Sequence, residues 1–129
     1  MGNSSPPKKI QGTIGELLTQ IRFLQCGVEL SIPVIDSGND IVALKGKKVK
    51  LIQVKTKKHN SKRWNFPNLR EYDILVLINF GEDENKLDEA EIYLLSKKKV
   101  SNKKSIGLRS VKEYKLSDTL INTLFNQNH

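Results

Sequence analysis

The sequence contains few of the residues that build covalent or metal-bridged frameworks. Its 129 residues include one cysteine, Cys26, and two histidines. A single cysteine excludes an internal disulfide framework and a thiolate metal cluster. The chain also has no apolar run near the roughly 18 residues that a membrane-spanning helix needs. Its first nine residues are polar and contain proline, unlike a signal peptide. We therefore expect an intracellular, cytoplasmic protein with no membrane partner.

Apolar residues make up only 37% of the chain, but they are concentrated in short runs such as residues 73–80. This concentration predicts one modest hydrophobic core rather than a disordered chain. The length suits one domain. We expect residues 10–129 to form that domain and residues 1–9 to form a disordered arm.

The charge of the chain is +8 and is unevenly distributed. Residues 45–63 contain nine basic residues and no acidic one, and residues 97–104 contain five more lysines. The acidic residues are concentrated in residues 71–91, where eight acids accompany one lysine. Separate basic and acidic blocks are typical of a protein that presents one surface to a polyanion, which makes nucleic acid the expected partner.

Hydrophobic periodicity predicts a mixed α/β fold in which a central β-sheet is flanked by helices. Ile14, Leu17, Leu18, Ile21 and Leu24 recur at helical spacing and predict an amphipathic first helix over residues 10–26. Gly46 favours a hairpin between two of the strands. Ser117 is a suitable cap for a closing helix over 117–125. The other predicted elements are strands at residues 28–32, 40–44, 49–56, 73–80 and 92–95, and a short helix after Pro67 within an irregular connection over 57–72.

Four polar residues lie at positions that a simple core would not explain. Glu16 lies on the first helix, and Asp40 opens a strand although aspartate is disfavoured inside strands. Gln53 and Lys55 are two residues apart in the next strand, so their side chains project to the same face. If the strands pair as a hairpin, Asp40 approaches the same point. Each residue taken alone also suits a solvated surface or a turn.

The order and spacing of these residues resemble the PD-(D/E)XK nuclease superfamily, which has the restriction-endonuclease-like fold αβββ(α)ββα. The matching segments are Gly12-Thr-Ile-Gly15-Glu16, Asp40-Ile-Val-Ala and Gln53-Val-Lys55-Thr56. Gln-x-Lys in place of Glu-x-Lys is most similar to the branch of intron-encoded homing endonucleases. The layout is also similar to that of Holliday-junction resolvases. The resemblance covers about residues 10–95.

The resemblance implies a Mg²⁺-dependent endonuclease that hydrolyses DNA phosphodiester bonds, with Mn²⁺ as a possible substitute. Its metal ligands would be Asp40, Gln53, the backbone carbonyl of Val54 and Glu16, all hard oxygen donors. Lys55 would position the attacking water and offset charge on the phosphate. Asp36 is an alternative to Asp40, but Asp40 directly precedes the apolar strand and is favoured. Gln53 removes one negative charge from the family pattern, which predicts weak metal binding or an inactive descendant.

Basic residues beside the predicted strands are candidates for DNA contacts. Trp64 and Phe66 alternate with polar residues as in a short strand, and either cover the core or a dimer contact, or stack on a base or wedge a distorted duplex. A duplex has two strands to cut, so a homodimer or a higher symmetric oligomer such as a tetramer is expected. The rival hypotheses are a nucleic-acid-binding module without catalysis and a basic RNA-associated or structural protein of another fold. The candidate DNA contacts are Lys57, Lys58, His59, Lys62, Arg63, Lys97, Lys98 and Lys99.

Overall fold

A computed structural model describes residues 8–31, 41–57, 60–66, 71–83 and 85–127 of the chain. The helices in these ranges are α1 (Lys8–Gln25), α2 (Lys97–Val100) and α3 (Asp118–Asn126). Short 3-10 helices span Leu87–Glu89, Leu108–Ser110 and Lys112–Tyr114. The strands are β1 (Glu29–Ser31), β2 (Ile41–Lys45), β3 (Lys48–Thr56), β4 (Arg63–Asn65), β5 (Ile74–Asn79), β6 (Glu91–Ser96) and β7 (Ser105–Gly107).

Five of the strands form a mixed sheet in the order β1-β2-β3-β5-β6. The strands β1, β2 and β3 form an antiparallel meander, β5 pairs parallel with β3, and β6 pairs antiparallel with β5. The strands β4 and β7 form a separate antiparallel ribbon. The predicted mixed sheet with flanking helices is confirmed.

The turn between β2 and β3 has the predicted hairpin form. Lys45 pairs with Lys48, so the loop consists of Gly46 and Lys47. Gly46 has a φ of +63°, a conformation that residues with a Cβ rarely adopt. The glycine therefore sets the two-residue connection that fixes the β2–β3 register.

The strand β5 is buried on both faces of the sheet, as its nearly continuous apolar sequence predicts. Ile74, Val76 and Ile78 belong to a core cluster on one face, which includes residues of α1 and α3. We call this side the helix face. Leu75 and Leu77 belong to a second cluster on the other face, which includes residues of β4 and β7. We call this side the ribbon face.

The first helix packs on the sheet through a different side from the one that its apolar residues predict. Leu18 is buried as expected, whereas Leu17, Ile21 and Leu24 are exposed. The physical reason lies at Gly15, where a Cβ atom would stand 2.6 Å from the Thr56 Cγ2 methyl. Close approach of helix and strand therefore requires the small residue, and Leu17, Ile21 and Leu24 point outward while Leu18 and Phe23 are buried. The predicted helix is confirmed, but these three residues of its apolar pattern are not part of the core.

Several local predictions can be compared with the structure. The closing helix is confirmed as α3, and the Ser117 hydroxyl oxygen accepts a hydrogen bond from the Leu120 amide at 3.1 Å. The connection over 57–72 is less irregular than predicted, because it contains β4. The predicted arm lies outside the described residues apart from positions 8 and 9, which begin α1, and the helix after Pro67 also falls outside them. None of the described helices has the length and hydropathy to span a membrane.

Candidate active site and nucleic-acid interface

Gln53 and Lys55 lie on the ribbon face of β3. Gln53 is the register partner of Leu75, and Lys55 is the register partner of Leu77. Neighbouring residues in register project to the same side of a sheet. The two leucines belong to the ribbon-face cluster. The structure therefore brings these two predicted residues together on one surface, side by side along one strand.

The Gln53 side chain is deeply placed. The residue is 7% exposed, and its amide oxygen Oε1 is sealed from solvent. Lys55, nearer the end of the strand, is half-buried. A neutral amide can occupy such a position at a much lower desolvation cost than a carboxylate. The Gln in place of Glu thus matches the burial of this position.

The other two residues of the predicted site come from other parts of the chain. Glu16 is half-buried on α1, and the adjacent Gly15 faces Val54 and Thr56 on the helix face. Asp40 and its alternative Asp36 lie outside the described residues. The last described pair between β2 and β3 is Ile41 with Ile52. The meeting of all four side chains therefore stays a prediction.

The donor atoms of the predicted site can be tested against the needs of Mg²⁺. Within the described residues no cluster of three or more His, Cys, Asp or Glu residues is placed to hold a metal. The predicted set is of another kind, because it combines the Gln53 amide oxygen, the Val54 carbonyl and the carboxylates of Asp40 and Glu16. All are hard oxygen donors, which fit Mg²⁺ by chemistry.

Lys57 is a buried lysine whose side chain bonds to the backbone a few residues further along the chain. Its ammonium donates a hydrogen bond to the Ser61 carbonyl at 2.6 Å and lies 5.3 Å from the centre of the Trp64 ring. Burial lowers the pKa of this lysine, while nearby Glu91 opposes that shift. Its carbonyl accepts a hydrogen bond from Gln11 on α1 at 3.4 Å. These contacts tie the end of β3 to both α1 and the ribbon.

The ribbon joins the two basic blocks of the sequence. Arg63 pairs with Gly107, and the Lys62 carbonyl accepts a hydrogen bond from the Leu108 amide at 2.9 Å. The Lys62 and Arg63 side chains are exposed, and Arg63 also donates to the Ser105 hydroxyl at 2.9 Å. Lys58 and His59, the other candidates in this block, lie outside the described residues.

The second basic block begins at α2, which the Ser96 hydroxyl caps by accepting a bond from the Lys99 amide at 3.3 Å. Lys97, Lys98 and Lys99 are exposed. Lys97 forms an ion pair with Glu71 at 3.3 Å and lies over the Tyr72 ring. A cavity of about 390 Å³ opens beside α2, with three lysines in its wall. Its lining residues are Phe66, Tyr72, Lys97, Val100, Ser101, Asn102, Lys103 and Lys104.

The aromatic residues of β4 belong to the core. Trp64 is fully buried, and its indole N–H donates to the Ile78 carbonyl at 3.0 Å. Phe66 is also buried. The core interpretation of both residues is confirmed, and neither ring is exposed for stacking on a base. Their alternation with Arg63 and Asn65 is the signal that predicts a strand with one buried face.

Beside Trp64, a carboxylate and a phenol form a polar pair that the sequence does not single out. Burial and the hydrogen bond to Glu91 raise the pKa of Tyr93 to about 12. Burial tends to raise the pKa of Glu91, but hydrogen bonds with Tyr93, Asn79 and Lys115 lower it overall. The strand register, which puts Asn79 opposite Glu91, creates this network. It braces the far edge of the ribbon face.

Comparison with known proteins adds one result. No family profile matches the sequence, and no curated protein matches it significantly. Among solved structures, the chain is similar to a bacterial homing endonuclease, I-Ssp6803I, with a TM-score of 0.58 and 20% sequence identity. The similarity covers 80% of this chain and 78% of that chain. The protein therefore has a nuclease-like mixed α/β fold.

Proposed function

We propose that the protein is a metal-dependent endonuclease of the PD-(D/E)XK type that hydrolyses DNA phosphodiester bonds. The observation that carries this proposal is that Gln53, Lys55 and the basic residues at β4 and α2 lie on the ribbon side of a nuclease-like fold. The ribbon packs on this face through Trp64 and Ile106. A polyanion bound along the ribbon would therefore pass the residues proposed for catalysis.

The proposed site is completed by Asp40. This residue directly precedes Ile41, and Gln53 directly follows Ile52, so a ladder extended by one pair would join Asp40 to Gln53. Glu16 would supply a second carboxylate from α1, next to Gly15, which packs against Thr56 at the end of β3. Together with the amide oxygen of Gln53 and the carbonyl of Val54, these groups would hold Mg²⁺, or Mn²⁺ in its place.

The chain's own residues have separable roles in this proposal. Lys55 holds the attacking water and offsets negative charge on the phosphate with its ammonium. Gln53 supplies a neutral oxygen, so the site depends on Asp40 and Glu16 for its negative charge. When bound, the divalent cation stabilises charge on the phosphate and promotes deprotonation of water.

Sequence-independent binding is assigned to the exposed lysines and arginine of the two basic blocks. Lys62 and Arg63 at the start of β4 and Lys98 at α2 would contact backbone phosphates, as would Lys58 and His59. The ammonium groups of Lys97 and Lys99 lie 6.0 and 5.1 Å from the ring centres of Tyr72 and Tyr114, and both lysines are exposed. Contacts of this kind make affinity fall steeply with salt concentration.

A second candidate function is favoured by the burial of Gln53. A sealed neutral amide suits a nuclease fold that binds nucleic acid without cutting it, because the fold then needs no cation at this position. The two functions share the DNA-binding surface and differ only in metal-dependent chemistry. An assay that measures binding and cleavage on the same sample therefore separates them.

The test uses supercoiled plasmid and branched DNA with Mg²⁺, Mn²⁺ or EDTA. The nuclease proposal expects nicked or linear product only with the divalent cation, and no product from Asp40→Ala at the same DNA occupancy. Asp36→Ala serves as the matched control, because Asp36 is the less favoured acid in the same segment. Binding without cleavage at any metal concentration would support the second function. Equal cleavage by the wild type and Asp40→Ala would contradict the proposed site.

A further inference from the structure

The outward side of α1 carries a continuous row of apolar side chains. Ile10, Leu17, Ile21 and Leu24 are 51%, 53%, 50% and 57% exposed, and Ile14 between them is half-buried. Their spacing alternates between four and three residues over the whole of the helix. This alternation is the one that keeps a row of side chains in line along a helix that packs against another helix.

Apart from Ile14, which packs partly against the helix-face cluster, the fold does not use this row for its own core. α1 faces the sheet with Gly15 and Leu18, and consecutive residues on a helix are about 100° apart, so Leu17 points away from the sheet. Within the described ranges the members of the row other than Ile14 are all at least 50% exposed, so no other element covers them. Contiguous exposed apolar patches of this kind mark interaction sites more often than bare surface.

The charges around the row indicate which kind of partner covers it. The polar residues that flank it, Thr13 and Gln20, are uncharged, in a chain that is 28% charged and carries +8 overall. A polyanion or an anionic membrane would be drawn to lysines and arginines, and the one such residue between positions 10 and 24, Arg22, is half-buried and donates a hydrogen bond to Gln25 at 3.4 Å. Two copies of a strongly basic chain repel each other least where neither presents charge.

We propose that this row, Ile10, Ile14, Leu17, Ile21 and Leu24, is the contact through which two copies of the chain form a dimer. The two α1 helices lie antiparallel about a two-fold axis near Leu17, so that Ile10 of one copy faces Leu24 of the other. Opposed helix dipoles favour this direction, and the alternating spacing lets the two rows interlock. The helix lies on the opposite side of the sheet from the ribbon, so both basic surfaces stay uncovered.

The test is sedimentation equilibrium of the full chain without DNA or metal. We expect a mass of twice 14.7 kDa at micromolar concentration. Leu17→Glu should weaken the dimer at least about 30-fold, as loss of a central apolar contact does. Leu17→Met should retain the dimer. Val49→Glu is the matched control, because Val49 is equally exposed, at 54%, but lies on the β2–β3 hairpin.

Circular dichroism melting shows that each variant is folded before its mass is compared. A monomeric wild type at about 100 μM, well above a micromolar Kd, would overturn the proposal. A dimer that survives Leu17→Glu would do so too, because another surface would then join the copies. Equal weakening by Val49→Glu would show an unspecific effect and would also overturn it. Failure of the nuclease proposal leaves this result unchanged, since the measurement involves neither DNA nor metal.

Discussion

At the scale of single residues, the neutral amide of Gln53 lets β3 bury an oxygen donor without burying a charge. Gln53 is buried at 7% exposure, whereas Lys55 two residues later is only half-buried. A carboxylate at the first position would lose most of its hydration. Under the nuclease proposal, the glutamine would therefore make the folded state less dependent on a bound cation and would weaken the attraction of the proposed site for one.

We predict that Gln53→Glu makes the stability of the fold respond to Mg²⁺. In EDTA the buried carboxylate should cost about 2 kcal/mol and lower the melting temperature by about 5 °C or more. Added Mg²⁺ should recover much of this loss, because it compensates the buried charge. Thermal unfolding followed by circular dichroism with and without Mg²⁺ measures both effects.

The matched control for that experiment is Gln25→Glu, which makes the same chemical change at an exposed position on α1. The melting temperature of this control should not change when Mg²⁺ is added. The same Mg²⁺ response in both variants, or none in Gln53→Glu, would contradict a cation site at Gln53.

Glu91 predicts a defined acid sensitivity. Its folded pKa lies below the ordinary value of 4.5, because hydrogen bonds to Tyr93, Asn79 and Lys115 outweigh its burial. The stability it adds is therefore present above about pH 4.5 and is lost as pH falls through the folded pKa. Glu91→Gln should cost about 0.5–1 kcal/mol at pH 7, a small value because the carboxylate is partly exposed.

The difference between the wild type and Glu91→Gln should shrink as the pH falls through the lowered folded pKa of Glu91, because the carboxylate is then protonated in both the folded and the unfolded chain. Urea unfolding at pH 7 and pH 3 measures it. A difference that stays constant with pH would mean that Glu91 acts by packing alone.

At the scale of secondary structure elements, α1 shows how close packing can outweigh hydrophobic periodicity. Its apolar spacing correctly predicts a helix, but not which side meets the sheet. The small Gly15 rather than Leu17 lies against Thr56 and Ile78. Periodicity reports only that apolar residues share a side, and two sides of this helix are apolar. Which side is buried depends on the shape of a strand surface more than 35 residues away in the chain.

We predict that Gly15→Ala loosens the contact between α1 and β3 and costs about 1–3 kcal/mol, because the added methyl meets the Thr56 Cγ2 atom. Gly12→Ala is the matched control, because nothing lies within 4 Å of its added Cβ. This control should gain about 0.5–1 kcal/mol from helix propensity. Urea unfolding of both variants provides the comparison.

A double variant identifies the cause of the Gly15→Ala effect. Thr56→Ser removes the Cγ2 methyl that the new side chain would meet, so it should restore most of the lost stability. A loss in Gly15→Ala that Thr56→Ser leaves unchanged would show that the close approach is not responsible.

The strands are more predictable from the sequence than the site. Alternation and apolar runs predict β2, β3, β5 and β6 within one or two residues, because the apolar pattern of each strand indicates which of its residues are buried. The partnership of β4 with β7 is not predictable in this way, since Arg63 and Gly107 are paired by tertiary packing. Tertiary packing also decides the environment of Lys57. The sequence predicts a surface lysine that contacts DNA, but in the fold its ammonium lies 5.3 Å from the centre of the Trp64 ring.

At the scale of the whole molecule, the sheet separates two functions. The ribbon face carries Gln53, Lys55 and the basic residues at β4 and α2, and the helix face carries α1 with its exposed apolar row. Under the two proposals, nucleic acid binds on one side and a second copy on the other. This division explains why the charge is uneven in a chain of modest size, because a dimer contact must avoid the charge that DNA binding requires.

The most direct measurement of the central claim compares Lys55→Met with Lys57→Met in metal-dependent cleavage of plasmid DNA. The two lysines are two residues apart, and only Lys57 bonds to its own loop at Ser61. Lys55→Met should lower the cleavage rate at least about 100-fold with an unchanged melting temperature. Lys57→Met should cost about 1–3 kcal/mol of stability but cleave at close to the wild-type rate while folded. Cleavage by Lys55→Met at the wild-type rate would contradict the proposed catalytic role of this face.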